Sequence, residues 1–295
     1  MIKKLSPLYI VIAGCLWGTM GIFVRRFNSY GVESMSIVFV RSLFTAIITL
    51  AATAVYDRKL LKIKLRDIWI FAGTGLISIV LFNYCYFTAI SMMSLSVAAI
   101  LLYTSPIFVM LFSALFFKEK ITFKKVNAMI ISIIGLVFVT GVFEGNSTVS
   151  VQGIIYGIIS AIGYALYSIF SRVAINHGYS SLTTTGWSFA FAALFSMFMA
   201  DIPACTNMFA ESPLMILYTV LFAIVASVLP YIFYSLGLKG TENGKAAVIA
   251  SVEPVAATVF GIFLYGEYPS IFAIIGIALV LAALILSIEI PKQKR

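Results

Sequence analysis

The chain has 295 residues, of which 62% are hydrophobic and 11% charged, with a net charge of +9 and a mean hydropathy of +1.07. A soluble domain is about 45–50% apolar and about 25% charged, and it could not hide this much apolar surface from water. Soluble enzyme, nucleic-acid-binding module and disordered tail are excluded, and the lipid bilayer is the expected partner.

Ten apolar stretches follow one another, near 8–26, 34–56, 68–90, 95–117, 126–143, 151–171, 182–200, 213–238, 246–265 and 270–289. A spanning helix needs about 20 such residues. The runs are continuous, whereas strands of a membrane barrel would alternate. The predicted fold is therefore an all-α polytopic membrane protein with ten transmembrane helices and no room for a soluble domain. Lys3 and Lys4 precede the first run, and Ile12-Ala13-Gly14-Cys15 imitates a lipoprotein cleavage box. The run continues past Cys15, so the first stretch is expected to stay as a helix. Cys15, Cys85 and Cys205 are odd in number and form no CxxC, which suits small apolar fillers.

Along the chain, several residues do not belong to lipid. Gly14-xxx-Gly18 in the first span makes a small-residue face for close helix approach. Trp17 lies beside it. Arg41 is the only basic residue well inside a span, placed to pair with Glu253, bind a substrate carboxylate, or snorkel outward. Asn83 and Tyr86 share a face of the third span, and Tyr231 and Tyr234 are their counterparts in the eighth. Tyr103 precedes Pro106 by one turn in the fourth span. Gly153-xxx-Gly157 runs on to Ala161 and Ala165 in the sixth, which also carries Tyr164; Trp187 lies in the seventh. Buried Tyr and Trp need partners for their polar atoms, so some of these are expected to ring a cavity. Glu253 is the sharpest feature. A charge at the centre of a span costs about 2.5–3.5 kcal/mol on insertion scales, so it should face a wet cavity or a partner. It reads as a substrate or proton site, or as a structural pair beside Pro254. Pro106 and Pro254 are read as paired kinks that free the carbonyls of Leu102 and Ala250.

Charge gives the orientation. With the N-terminus inside, 17 of the 20 Lys and Arg fall on cytoplasmic segments and only Arg25 and Arg26 on outer loops. Glu33, Glu144, Asp201, Glu211 and Glu267 then fall outside. Both termini are expected in the cytoplasm, with the protein multi-pass in the plasma membrane. Asn146-Ser147-Thr148 forms a sequon on an outer loop and is given no weight.

At a shift of 148, Leu81 matches Leu229, Tyr86 matches Tyr234, and Ala98-Ala99 match Ala246-Ala247. Pro106 matches Pro254, Phe112 matches Phe260 and Glu119 matches Glu267; at 147, Arg25 matches Arg172. The chain divides into two five-span repeats, 1–147 and 148–295. Five is odd, so the second copy enters the bilayer from the opposite face. Inverted repeats exchange conformations and expose a midplane site to alternate sides.

Neither GxxxxGK[ST] nor HExxH occurs, and His177 is the single histidine. ATP drive, a zinc protease and a bound metal or cofactor are not expected.

The order of Trp17-Gly18, Arg41 with its apolar run, Ser105-Pro106 through Lys118-Glu119-Lys120, and Glu253-Pro254-Val255 through Gly266-Glu267 resembles the drug/metabolite transporter superfamily, specifically its ten-helix EamA type. The resemblance covers nearly the whole chain. It implies a carrier of small metabolites, often an exporter of amino acids or related compounds, with a cavity between the repeats. The first repeat carries Ser105 where the second has Glu253, so the acidic site is not symmetric. The expected function is alternating-access export of a small metabolite such as an amino acid, driven by protons or by the substrate's own gradient, in a monomer or homodimer. A channel-like permease, an exporter of drugs or quaternary amines and, least, a membrane-embedded enzyme are the alternatives.

Overall fold

A computed structural model describes residues 2–143, 150–266 and 268–288, with side-chain surroundings from Leu5 onward. The expectations for the Lys3 and Lys4 side chains, Glu144, the 146–148 sequon, Glu267, Lys292, Lys294 and Arg295 lie outside the described residues.

In lipid, backbone N–H and C=O groups must be satisfied within the chain, so apolar runs become helices. The first half folds as α1 (Ile2–Trp17), α2 (Met20–Asn28), α3 (Ser34–Tyr56), α4 (Ile68–Gly75), α5 (Phe82–Met92), α6 (Leu95–Leu102), α7 (Ser105–Phe117) and α8 (Phe123–Val139). The second half follows as α9 (Val151–Asn176), α10 (Ser181–Ser196), α11 (Ile202–Glu211), α12 (Leu214–Ala223), α13 (Leu229–Leu238), α14 (Asn243–Ala250), α15 (Glu253–Tyr265) and α16 (Ile271–Ser287). No strand occurs among the described residues.

Among the described residues, eight helical stretches are long and apolar enough to cross a membrane, several of them built from two successive helices. The helices α8 and α16 are shorter, at 17 residues each. They lie side by side, with Gly135 of α8 against the backbone of Gly276 in α16. Small residues at such a crossing let two backbones approach closely. Large apolar side chains, such as Phe263 and Ile285, are exposed on the outer surface.

Pro106 and Pro254 do not kink continuous helices, as the sequence suggested. The helix stops and restarts. The α6 helix ends at Leu102, and Pro106 lies in the first turn of α7; α14 ends at Ala250, and Pro254 lies in the first turn of α15. A proline there forfeits no helical bond, because first-turn N–H groups have no intrahelical partner. The gaps are closed by tight backbone bonds, Thr104 N to Leu101 O and Val252 N to Ile249 O. Three more interruptions carry no sequence signature that we read. One parts α1 from α2 at Gly18-Thr19. The other two are π-helical turns, Leu76–Leu81 and Ile224–Val228.

These features recur at one spacing. The π turns begin 148 residues apart, as do α6 and α14, α7 and α15, and α8 and α16. Lys118 and Gly266, also 148 apart, both end their helices in the left-handed region, at φ +55° and +66°. Packing is exchanged in the same sense. The α1 helix lies on α13 while α9 lies on α5, and α3 pairs with α10.

Candidate central site

Close approach of α1 to the α14–α15 break sets up the site. A Cβ on Gly14 would stand 3.1 Å from the Ala250 carbonyl oxygen, and one on Gly18 would stand 2.8 Å from the Glu253 carbonyl oxygen. Glycine is what lets α1 cover the two carbonyls at the interrupted helix. That contact places Trp17, on the same turn, at the centre of the bundle.

There a cavity of about 40 Å³ opens among all the broken helices. Its walls are aromatic: Trp17, Tyr103, Tyr164, Tyr167, Tyr231 and Tyr234. The Trp17 and Tyr231 rings meet edge to face with centroids 5.3 Å apart, and Tyr167 lies 4.8 Å from Tyr231. Its polar groups are Ser78, Ser105, Ser168, Ser251 and Glu253. A water needs roughly 10–15 Å³ by this measure, so the space holds about three waters. A small-molecule site is typically about 300 Å³ or more. As it stands, the space at the centre is too small for a typical metabolite.

Glu253 begins α15 and accepts one hydrogen bond, from the Tyr164 hydroxyl to Oε2 at 3.1 Å. The helix N-terminus favours a negative charge there. No lysine or arginine pairs with it among the described residues. Burying a carboxylate without a cation is expensive, and a proton or a cationic ligand relieves it. Three further buried groups in the wall, Trp17 Nε1, Ser78 Oγ and Tyr167 Oη, have no hydrogen-bond partner among the described residues. They are available to a ligand or water.

From the cavity a polar chain leads to the lysine-rich end of the bundle. Ser168 Oγ and Tyr234 Oη are 2.6 Å apart. Asn243 Nδ2 donates to the Ser168 carbonyl at 3.0 Å, and Arg172 Nε donates to Asn243 Oδ1 at 2.7 Å. The backbone N–H groups of Asn243 and Gly244 donate to the two oxygens of Glu119, which belongs to the other half. Lys125 Nζ sits 3.0 Å from Glu242 and 3.9 Å from Glu119. This latch ties the α7–α8 turn to the α13–α14 turn. Partial burial pushes the Glu242 carboxyl up, but the hydrogen bond from Lys125 and the charges of Lys125 and Lys245 outweigh it and hold the group below the usual range.

Seven of the predicted residues come together around the cavity: Trp17, Tyr103, Pro106, Tyr164, Tyr231, Tyr234 and Glu253. Pro254 follows Glu253 in the first turn of α15. Four others do not line it. Asn83 satisfies itself on its own helix, donating to Ile79 O. Tyr86 stacks on Phe82, itself a wall residue. Trp187 donates to Leu61 O in the α3–α4 connection. Arg41 is buried without a carboxylate; Nη1 reaches Met20 Sδ at 3.3 Å, Cζ stands over the Phe222 ring, and Nε has no partner among the described residues. Tyr231 is the wall residue near enough to feel the charges of both Arg41 and Glu253.

Tyr167, Ser168 and Ser78 were missed. A signal existed on α9, where Tyr164, Tyr167, Ser168 and Ser171 recur at i, i+3, i+4 and i+7 and so share one face.

The profile of the EamA-like transporter family matches the chain twice, over residues 4–141 and 151–288. The chain belongs to this family and is a multi-pass membrane transporter of the drug/metabolite superfamily. An uncharacterized transporter of Archaeoglobus fulgidus is 27% identical, with 94% of each chain covered. The uncharacterized transporter YxxF of Bacillus subtilis is 22% identical, covering 97% of this chain and 90% of that one. The pseudopaline exporter CntI of Pseudomonas aeruginosa is 27% identical, covering 96% and 95%. A solved crystal structure shares the fold with a TM-score of 0.78 over 96% of both chains at 19% identity.

Proposed function

We propose that this protein is a proton-coupled exporter of a small amine-bearing metabolite such as an amino acid. In this reading ten spans form two inverted halves, 1–147 and 148–295, in the plasma membrane with both termini in the cytoplasm. Three findings support the inversion: elements repeated at 148, the exchanged packing of α1 on α13 and α9 on α5, and the double family match. The latch then lies on the cytoplasmic face. Export is supported by the likeness to the exporter CntI.

One observation carries the site chemistry: Glu253 is a lone carboxylate inside an aromatic box, with Tyr164 as its donor. A substrate ammonium would sit against Glu253 and over ring faces, where a desolvated cation gains about 2 kcal/mol or more. A proton and that ammonium compete for one carboxylate, so each displaces the other. Loading from inside and protonation from outside then give antiport. A substrate carboxylate would be met by Arg41 once Tyr231 swings aside.

The absence of a basic wall residue favours a second reading, export of organic cations that lack a carboxylate. A matched set separates the two: an amino acid, the amine left by its decarboxylation, and a quaternary ammonium ion. Thermal stabilisation and proteoliposome counterflow by the amino acid support the first reading. Response to the amine and the quaternary ion alone supports the second. Response to none of them removes both.

A further inference from the structure

A second cavity, of about 220 Å³, lies at the lysine-rich end between α8, α14 and α16. We infer that it is a binding site for a phosphate-bearing anion. Among the described residues, four ammonium groups line it, from Lys120, Lys124, Lys125 and Lys245, against a single wall carboxylate, Glu242. Lys125 is committed, buried between Glu242 and Glu119. Lys120 and Lys124 are exposed and form no ion pair with a carboxylate among the described residues. A concave wall with surplus positive charge focuses its field on the space it encloses and concentrates anions there. Two hydroxyls, Thr122 and Ser287, stand among the lysines. The Ser287 hydroxyl donates to Ala283 O, which leaves the Thr122 O–H free among the described residues. Several point cations and one hydroxyl donor around one small space suit a compact oxyanion with three or four acceptor oxygens better than a two-oxygen carboxylate.

The rest of the pocket selects the form of that anion. Val248 and Leu286 make an apolar wall, and Leu286 is itself partly exposed on the outer surface. Ile121 and Phe123, on either side of Thr122, are exposed as well. The pocket sits where α8 and α14 begin and α16 ends, and the ends of membrane-spanning helices fall at the level of lipid headgroups. Basic pockets between helices at that level hold anionic headgroups. The same chemistry is offered by a phospholipid phosphodiester and by free phosphate. Either occupant would draw Lys125 and Lys245 from Glu242, and so bears on the latch described above.

The test uses the full chain in three preparations: phosphatidylcholine vesicles, phosphatidylcholine mixed with phosphatidylglycerol, and phosphatidylcholine with inorganic phosphate in the buffer. Lysine acetylation is read by mass spectrometry, with Lys59 and Lys62 as internal references on another basic turn. We expect Lys120 and Lys124 to be protected roughly fivefold, the scale of one lysine at an anionic surface, while the references change little. Protection only with phosphatidylglycerol assigns a lipid headgroup; protection by inorganic phosphate as well assigns free phosphate. Lys245→Gln, with folding checked by thermal unfolding, should abolish the protection. Equal labelling in all preparations, equal protection of Lys59 and Lys62, or full protection in the variant would overturn the site. Transport is not read, so this outcome is independent of the substrate.

Discussion

Glu119 accepts a hydrogen bond from the backbone N–H of Asn243 at 2.9 Å, so a side chain in one half of the molecule caps a helix in the other. Its second oxygen takes the N–H of Gly244 at 3.4 Å. Such a cap is worth about 0.5–2 kcal/mol. Glu119→Ala should therefore lower the melting temperature and loosen the latch. A Ser168→Cys reporter on the cavity side should be labelled faster from the latch face in that background. Glu119→Gln, which keeps an acceptor, should lie between.

Glu242 makes the latch sensitive to acid. Its folded-state carboxyl is held below the ordinary glutamate range, the lysines outweighing the opposing effect of burial. A depressed acid contributes stability above its unfolded pKa and loses it as pH falls through the folded one. Thermal stability should therefore drop as pH falls through and below the usual glutamate range near 4.5. Glu242→Gln should remove that part of the pH dependence. An unchanged profile in the variant would assign the acid sensitivity elsewhere.

Gly18 and Gly21 provide an internal comparison. A Cβ at Gly18 would lie 2.8 Å from both Ala256 Cβ and the Glu253 carbonyl oxygen, whereas at Gly21 nothing stands within 4 Å. Overpacking of this kind costs about 1–3 kcal/mol. Gly18→Ala should destabilise and slow transport, because α1 can no longer seat on the α14–α15 break. Gly21→Ala should be neutral or stabilising by up to about 1 kcal/mol, since alanine is the better helix former. Thermal unfolding of the pair checks both.

Glu253→Gln keeps the size of the side chain and removes its charge. Flux in proteoliposomes should lose its response to an imposed pH gradient while the melting temperature stays near the parent value. Tyr164→Phe removes the single donor to that carboxylate. A hydrogen bond to a charged group is worth about 1.5–3 kcal/mol, so flux should slow at least several-fold while still responding to pH.

What the sequence disclosed and what it withheld follow from the same physics. Helical lipid-spanning segments were legible because an apolar run in a bilayer has one backbone solution. Glu253 was legible because a lone charge in such a run has few explanations. Pro106 and Pro254 disclosed that a helix is interrupted, because they lack an N–H, but not that the chain restarts a new helix there. The π turns at Leu76–Leu81 and Ile224–Val228 have no residue signature at all. Short polar side chains were the hardest to place. Asn83 shows why: a short polar side chain can bond its own helix, so depth in a span does not put it in a cavity. Trp187 found its acceptor in the chain between α3 and α4, which sequence spacing could not foresee.

The proposed inversion has the two halves facing opposite ways across the bilayer. Lys120 and Tyr268 occupy equivalent places in them, 148 residues apart, and both are exposed. Each is replaced by cysteine in a chain stripped of Cys15, Cys85 and Cys205, and labelled in intact cells with a membrane-impermeant thiol reagent before and after permeabilisation. The account predicts that Tyr268→Cys reacts in intact cells and Lys120→Cys only after permeabilisation. Labelling of both from the same side would contradict it.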